Sequence, residues 1–422
     1  MPNLSEWART YLLFFCTLFP GINPRNNAAI LMISRSLAAR MKAYRLALAR
    51  RWAIFFTGRF DPYPRPPGGM DLSPSHAHLN AYEEAPLLLS WNRAGIADAV
   101  EWQNKARDKL TELLGYERTQ TPPLVVESRD VHIPGGIKGH CYYLVAGSVS
   151  IPVTVILPAA RNAPLPVMLC LHGHNSGAHL SWAEERMPDD PNKLVVGADY
   201  ALQAMRQGYG AVCIEQSCFG ERREQLLPRC AAHPCSAAVR HALLLGHTLL
   251  GERVSDVSTV IDWLQAEGNG LGLDPTHIHV MGNSAGGETG LYAAALDLRI
   301  GGVIASGCIG AYRKTIGKRG GCADAVIPGI LKWLENDDIL RLCAPRPLLA
   351  VSGVRDHLYP FSSVAETVVS AKDIYGILGA VEMLRAVSGP DGHRFYPDQT
   401  WPVFLEMTQA ANYTFGGPHT HL

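Results

Sequence analysis

The chain has 422 residues, is 47% hydrophobic and carries 38 basic against 38 acidic side chains, a formal net charge of zero. That size suits one large α/β domain with an addition, and the balanced charge gives no reason to expect nucleic acid or an acidic polymer as partner. Ten cysteines in a chain this long are not the dense framework of a small secreted domain. Several of them, including Cys170, Cys213 and Cys308, stand in apolar runs where a free thiol behaves as a small apolar side chain, so a reducing, cytoplasmic setting is expected. Cys230 and Cys235, close together in a polar stretch, are the pair an oxidant would join.

The charge is unevenly placed. Between Trp7 and Phe60 there is no acidic residue, whereas Arg9, Arg25, Arg35, Arg40, Lys42, Arg45, Arg50, Arg51 and Arg59 all fall there. The apolar run Tyr11–Phe19 is too short to span a bilayer and stops at Pro20-Gly21. It lacks a small-residue cleavage site and is not read as a signal peptide. Apolar residues at helical spacing between Ala28 and Phe60, with basic residues among them, predict a basic amphipathic helical extension over residues 1–68. Two readings of it stand: a helical hairpin packed on the rest of the chain or on a second copy, which is preferred, and peripheral contact of residues 28–60 with an anionic membrane surface. The proline- and glycine-rich run Asp61–Gly69 cannot continue a helix.

Residues 69–124 read as linker and helical lead-in, with a helix from Ile96 to Leu114 that stops at Gly115. From Val125 the period changes to that of strands, opening a catalytic domain over 125–410. Tyr142–Val145 and Ile151–Leu157 form a meander, and strands then alternate with helices: Val167–Leu171, helix Tyr200–Gln207, strand Ala211–Ile214, and a helix from about Glu252 to Gln265. A turn at Asp274-Pro275 leads into the strand His277–Met281. Gly302–Ser306, Pro347–Val351 and Val381–Val387 supply later strands. This alternation predicts a mostly parallel central sheet with helices on both faces, whose ligands bind beyond the carboxyl ends of the strands. Residues 310–340 are long enough for a lid insertion, and 411–422 form a tail.

Gly282-Asn283-Ser284-Ala285-Gly286 sits between the strand ending at Met281 and a helix beginning near Glu288. A Gly-x-Ser-x-Gly in that setting is a nucleophile elbow, in which glycines permit a strained turn that projects the hydroxyl from the sheet edge. A serine hydroxyl needs a base held by a carboxylate. Asp356, after the strand ending at Val351, and His393, after the last strand, follow the serine in the order acid then base. For the oxyanion, the backbone N–H of Ala285 and that of His174, in the loop after Val167–Leu171, are the candidate donors. His172 in the same loop, Arg222 after the strand Ala211–Ile214, and Tyr312 and Trp333 in the candidate lid are possible substrate contacts. A His172-x-His174 metal pair is set aside because no third ligand has an obvious spacing.

His172-Gly173-His174, Gly251-Glu252-Arg253-Val254, Gly282–Gly287, Ala344–Leu349 and Gly392-His393-Arg394-Phe395 together resemble the acetyl-xylan-esterase-like branch of the dienelactone-hydrolase group of α/β-hydrolases. The resemblance runs from about Asp98 to about Leu405, with Asn283 and Ala285 standing where Leu and Gly types are usual. It implies the α/β-hydrolase fold and hydrolysis of a small-molecule carboxylic ester by a Ser-His-Asp triad through an acyl-enzyme, with neither a metal nor an organic cofactor. The alternative is hydrolysis of a carbon–carbon bond in a β-diketone-like substrate by the same triad.

Overall fold

The structure is a computed structural model that describes residues 27–57, 66–118, 122–158, 164–174, 176–226, 235–319 and 321–415. It divides into two compact units, Met1–Ser73 and Pro74–Leu422. In the first, residues 27–57 form one unbroken helix, α1 (Asn27–Thr57, 31 residues), in place of the expected hairpin. The reason is plain in the sequence: neither glycine nor proline interrupts this span, so nothing stops the helix. Its sequence does not sort apolar and basic residue types onto two faces of a helix, and Trp52 stacks on Phe56 with ring centroids 5.5 Å apart. Among the described residues no helix is long and apolar enough to cross a membrane. The run Tyr11–Phe19 and Cys230 lie outside them.

In the second unit α2 (Pro74–Glu83) precedes α3 (Ala99–Leu114). The ends of α3 follow local chemistry: the Asp98 side chain accepts from Glu101 N–H at 2.7 Å, and Gly115 closes it in the left-handed region. Then come β1 (Leu124–Ile133), β2 (Ile137–Ala146), β3 (Val149–Ile156), β4 (Leu165–Leu171), α4 (Asp190–Val195), α5 (Tyr200–Arg206), β5 (Gly210–Ile214), α6 (Ser236–Leu245) and α7 (Leu249–Leu271). The chain continues through β6 (Leu273–Asn283), α8 (Ala285–Leu296), β7 (Ile300–Ser306), α9 (Ile316–Arg319), α10 (Asn336–Cys343), β8 (Leu348–Gly353), α11 (Phe361–Ile377), β9 (Leu384–Gly389) and α12 (Pro397–Phe415).

The strands make one nine-stranded sheet in the order β1-β2-β3-β5-β4-β6-β7-β8-β9. Pairings from β1 to β3, and β3 with β5, are antiparallel, and the remaining pairings are parallel. Both faces are covered. Val167, Leu169 and Leu171 of β4 belong to a core shared with α3, α7, α8, α10 and α11, while Met168 and Cys170 face a second core with α5 and α12. A strand buried on both sides reads as a continuous apolar run because each face meets its own helix layer. Two boundaries differ from expectation. Asp274-Pro275 lies inside β6 instead of in a turn before it, and the register against β4 jumps from Asp274 to Ile278, so the proline falls where no ladder bond is made. Val381–Met383 is a 3-10 turn, and the strand begins at Leu384.

Candidate active site

The carboxyl ends of β4, β6, β7 and β8 converge at one place because their parallel register is tight. Leu171 pairs with Gly282, Gly282 with Ala305 and Ser306 with Val351. β6 ends at Asn283 and α8 begins at Ala285, leaving Ser284 as the turn with φ 57° and ψ −126°. A non-glycine residue held there is strained. What holds it is the packing beneath. The Ser284 N–H donates to Ser306 O at 2.8 Å, and a Cβ at Gly286 would lie 2.1 Å from Leu171 O, so only glycine lets the elbow sit this low on β4.

The same closeness brings the loop after β4 against the serine. A Cβ on Gly173 would be 2.8 Å from Asn283 O and 3.4 Å from Ser284 Cβ. Gly173, His174, Ser284, Ala285 and His393 line one cavity of about 330 Å³.

Asp356 follows β8 in a short loop and is 4% exposed. Its Oδ1 accepts from the N–H groups of Leu358 and Tyr359 at 2.8 and 2.9 Å, and its Oδ2 faces His393 Nδ1 at 2.8 Å. Burial alone would push this carboxyl up, but the His393 hydrogen bond and charge, with the two N–H donors, hold it below the usual aspartate value. With Nδ1 committed to Asp356, His393 turns Nε2 toward chemistry. That atom is buried and has no hydrogen-bond partner among the described residues. The ring rests on Gly307, where a Cβ would be 2.9 Å from His393 Cε1.

Ser284, Ala285, His174 and the His393–Asp356 pair are thus brought together. Other predicted contacts are placed elsewhere. His172 is fully buried, with Nδ1 2.9 Å from Gly173 O and Nε2 3.1 Å from Glu215 Oε1. It braces the loop from behind and does not line the cavity. Arg222 is not at the cavity wall either; its Nη1 donates to Asp256 Oδ2 at 2.5 Å and to Glu215 O at 3.1 Å, because the 3-10 turn that carries it lies over α7. Trp333 packs beside α3 with Lys109 Nζ 4.3 Å from its ring centroid. Tyr312 bonds to Tyr292 OH and lines a small void behind the cavity. Of the candidate lid, the cavity meets Ile316, Gly321, Cys322, Asp324 and Ala325 instead.

Sequence reasoning missed Glu288 and Tyr359, which also line the cavity. Tyr359 OH donates to Glu288 Oε1 at 2.5 Å. Burial, with Asp324 nearby, raises the Glu288 carboxyl to about 7. Its position four residues beyond Ser284 was the available signal, since residues at i and i+4 share a helix face.

The Abhydrolase family model matches residues 89–375. "Putative hydrolase YtaP" of Bacillus subtilis (strain 168) is 26% identical over 257 residues, covering 58% of this chain and 79% of that protein. Among solved structures, a "putative acetyl xylan esterase" from Bacteroides fragilis NCTC 9343 superposes with TM-score 0.61 at 18% identity, covering 77% of this chain and 84% of its own. A CE15 glucuronoyl esterase from Teredinibacter turnerae T7901 gives 0.55 at 18% identity, covering 86% and 98%. These two likenesses are of fold, and they agree with the α/β-hydrolase architecture. With more than half its length matched by the family model, the chain belongs to the Abhydrolase family.

Proposed function

We propose that the protein is a serine esterase that hydrolyses a carboxylic ester through an acyl-enzyme. One observation carries the reading: a serine at φ 57° on a strand-to-helix turn opens onto the same cavity as a histidine whose far nitrogen is anchored by a buried aspartate. His393 Nε2 takes the Ser284 proton as Oγ attacks the ester carbonyl, and Asp356 stabilises the imidazolium. The N–H groups of Ala285 and His174 receive the oxyanion. His393 then protonates the leaving alcohol and activates water against the acyl-enzyme. A cavity of about 330 Å³ is at the small end of small-molecule sites, and its Ile316, Ala325 and Leu358 lining suits a short acyl group. Because the structures it superposes on are named for carbohydrate esters, acetylated and uronate-esterified sugars are the first substrates to screen.

Fluorophosphonate labelling followed by peptide mass spectrometry tests the reading. The adduct is expected on Ser284 and is expected to vanish in His393→Ala. Well-folded protein that takes no label at Ser284 would refute the assignment. Turnover of a β-diketone in preference to short acyl esters would transfer the same residues to carbon–carbon hydrolysis.

A further inference from the structure

We propose that His174, Cys235, Cys322 and Asp324 bind a divalent transition-metal ion of the zinc type beside the active-site cavity. The four donor atoms lie within 4.8 Å of one another. His174 Nε2 stands 3.1 Å from Asp324 Oδ2 and 3.8 Å from Cys235 Sγ, and Cys235 Sγ is 3.4 Å from Asp324 Oδ2. A tetrahedron with zinc–ligand bonds of 2.0–2.3 Å has edges of about 3.3–3.8 Å. The separations among His174, Cys235 and Asp324 therefore already stand near that spacing, and Cys322 Sγ lies within 4.8 Å of each of them.

A second observation points the same way. Asp324 is 2% exposed, yet its Oδ1 has no hydrogen-bond partner among the described residues. A buried carboxylate oxygen left unpaired is destabilising, and an ion held by both oxygens of Asp324 would give it a partner. Arg253, also buried, donates from Nη1 to Asp324 Oδ2 at 2.7 Å and from Nη2 to Cys235 Sγ at 3.4 Å. That is the outer layer of hydrogen bonds that orients ligands in metal sites. The charges close as well. Two thiolates and a carboxylate are balanced by one guanidinium and one dication, whereas the Arg253–Asp324 pair alone gives no reason for two thiols and an imidazole to converge there.

Two sulfur donors with one imidazole favour zinc or a similar ion over magnesium or calcium. Four protein ligands leave no open position, so the ion would be structural and would not activate water. It would join three separate segments: the loop after β4, the start of α6 and the turn Ala323–Ala325. His174 belongs to that loop, so metal loading would steady the wall of the cavity.

The test is metal analysis of the full chain, purified in reductant without added chelator, followed by titration of the stripped protein with Co²⁺. One equivalent of zinc per chain is expected, and Co²⁺ should give the visible bands of a tetrahedral ion with a sulfur-to-cobalt charge-transfer band. Cys322→Ser, at a half-buried position, should lose part of that band while keeping its circular dichroism. Ser284→Ala should bind the metal unchanged, which separates this site from the hydrolase reading. Reduced, folded protein that carries no stoichiometric metal and shows no charge-transfer band with Co²⁺ would overturn the proposal. So would a metal-free protein in which Cys235 and Cys322 are recovered joined as a disulfide.

Discussion

Ser284, Asp356 and His393 follow the ends of β6, β8 and β9, whereas Cys235 stands at a helix start, and Cys322 and Asp324, which line the same cavity as Ser284, belong to a short turn. The first group inherits its placement from strand register, which for parallel neighbours is set over several residues by ladder bonds. The second depends on how loops of different length settle on one another. Both groups contain a buried aspartate that serves a basic partner, yet they differ in what is left over. At Asp356 both oxygens are used, and the free atom is the nitrogen of His393 that faces the cavity. At Asp324 the free atom is a carboxylate oxygen. On the readings proposed above, one group would move a proton and the other would accept a cation.

Several substitutions would break or sharpen that contrast. Ser284→Ala should lower ester turnover by about 10⁵–10⁶-fold, measured at saturating substrate; a variant within tenfold of the parent would remove Ser284 from the chemistry. Asp356→Asn should cost about 10⁴-fold, with folding kept, because the amide no longer holds His393 in the tautomer that frees Nε2. Gly286→Ala acts on the support beneath. Its methyl would meet Leu171 O at 2.1 Å, and a loss of about 3–5 kcal/mol is expected from urea unfolding.

Glu288 gives a pH test. Its folded value of about 7 lies above the unfolded 4.5, so the native state binds the extra proton and stability is greatest below 4.5. It falls as pH rises through about 7, by about 3 kcal/mol in all. Glu288→Gln should flatten the stability profile over that window, and an unchanged profile would contradict the raised value. The Asp356 contribution runs the other way and is lost only as pH falls below 3.8. The smallest catalytic effect belongs to Arg222→Ala. Breaking its pair with Asp256 should cost about 1–3 kcal/mol of stability while KM changes less than about twofold; a large KM increase would put Arg222 back at the substrate.

The parts of the fold that were legible are those where local pattern and global packing agree. The continuous apolar runs at Val167–Leu171 and Pro347–Val351 are strands because both faces are buried, and the glycines around Ser284 declare a turn that only they can make. The order of Ser284, Asp356 and His393 along the chain made them the candidates, since each needed only a strand and its end. His172, Arg222, Tyr312 and Trp333 have residue types that suit a ligand, but whether such a side chain meets a cavity or a buried partner depends on loop packing that leaves no periodic trace. Cys235, Cys322 and Asp324 were illegible for the same reason: 61 residues separate His174 from Cys235, and 89 separate Cys235 from Asp324. In α1 the spacing foretold a helix but not its length, because the expected break had no residue to make it.

The strand order carries one more consequence. β6 lies in the interior of the sheet, between β4 and β7, while β1 forms an edge along which Leu124, Val125 and Val126 are exposed. Amide hydrogens along β1 should exchange with solvent through local fraying, whereas the Ser284 amide, bonded to Ser306 O, should be released only when the whole sheet opens. The reacting group would then persist in partly frayed molecules and disappear with the last cooperative unit. Residual activity during gradual denaturation would count intact sheets, whatever has already happened at the edge.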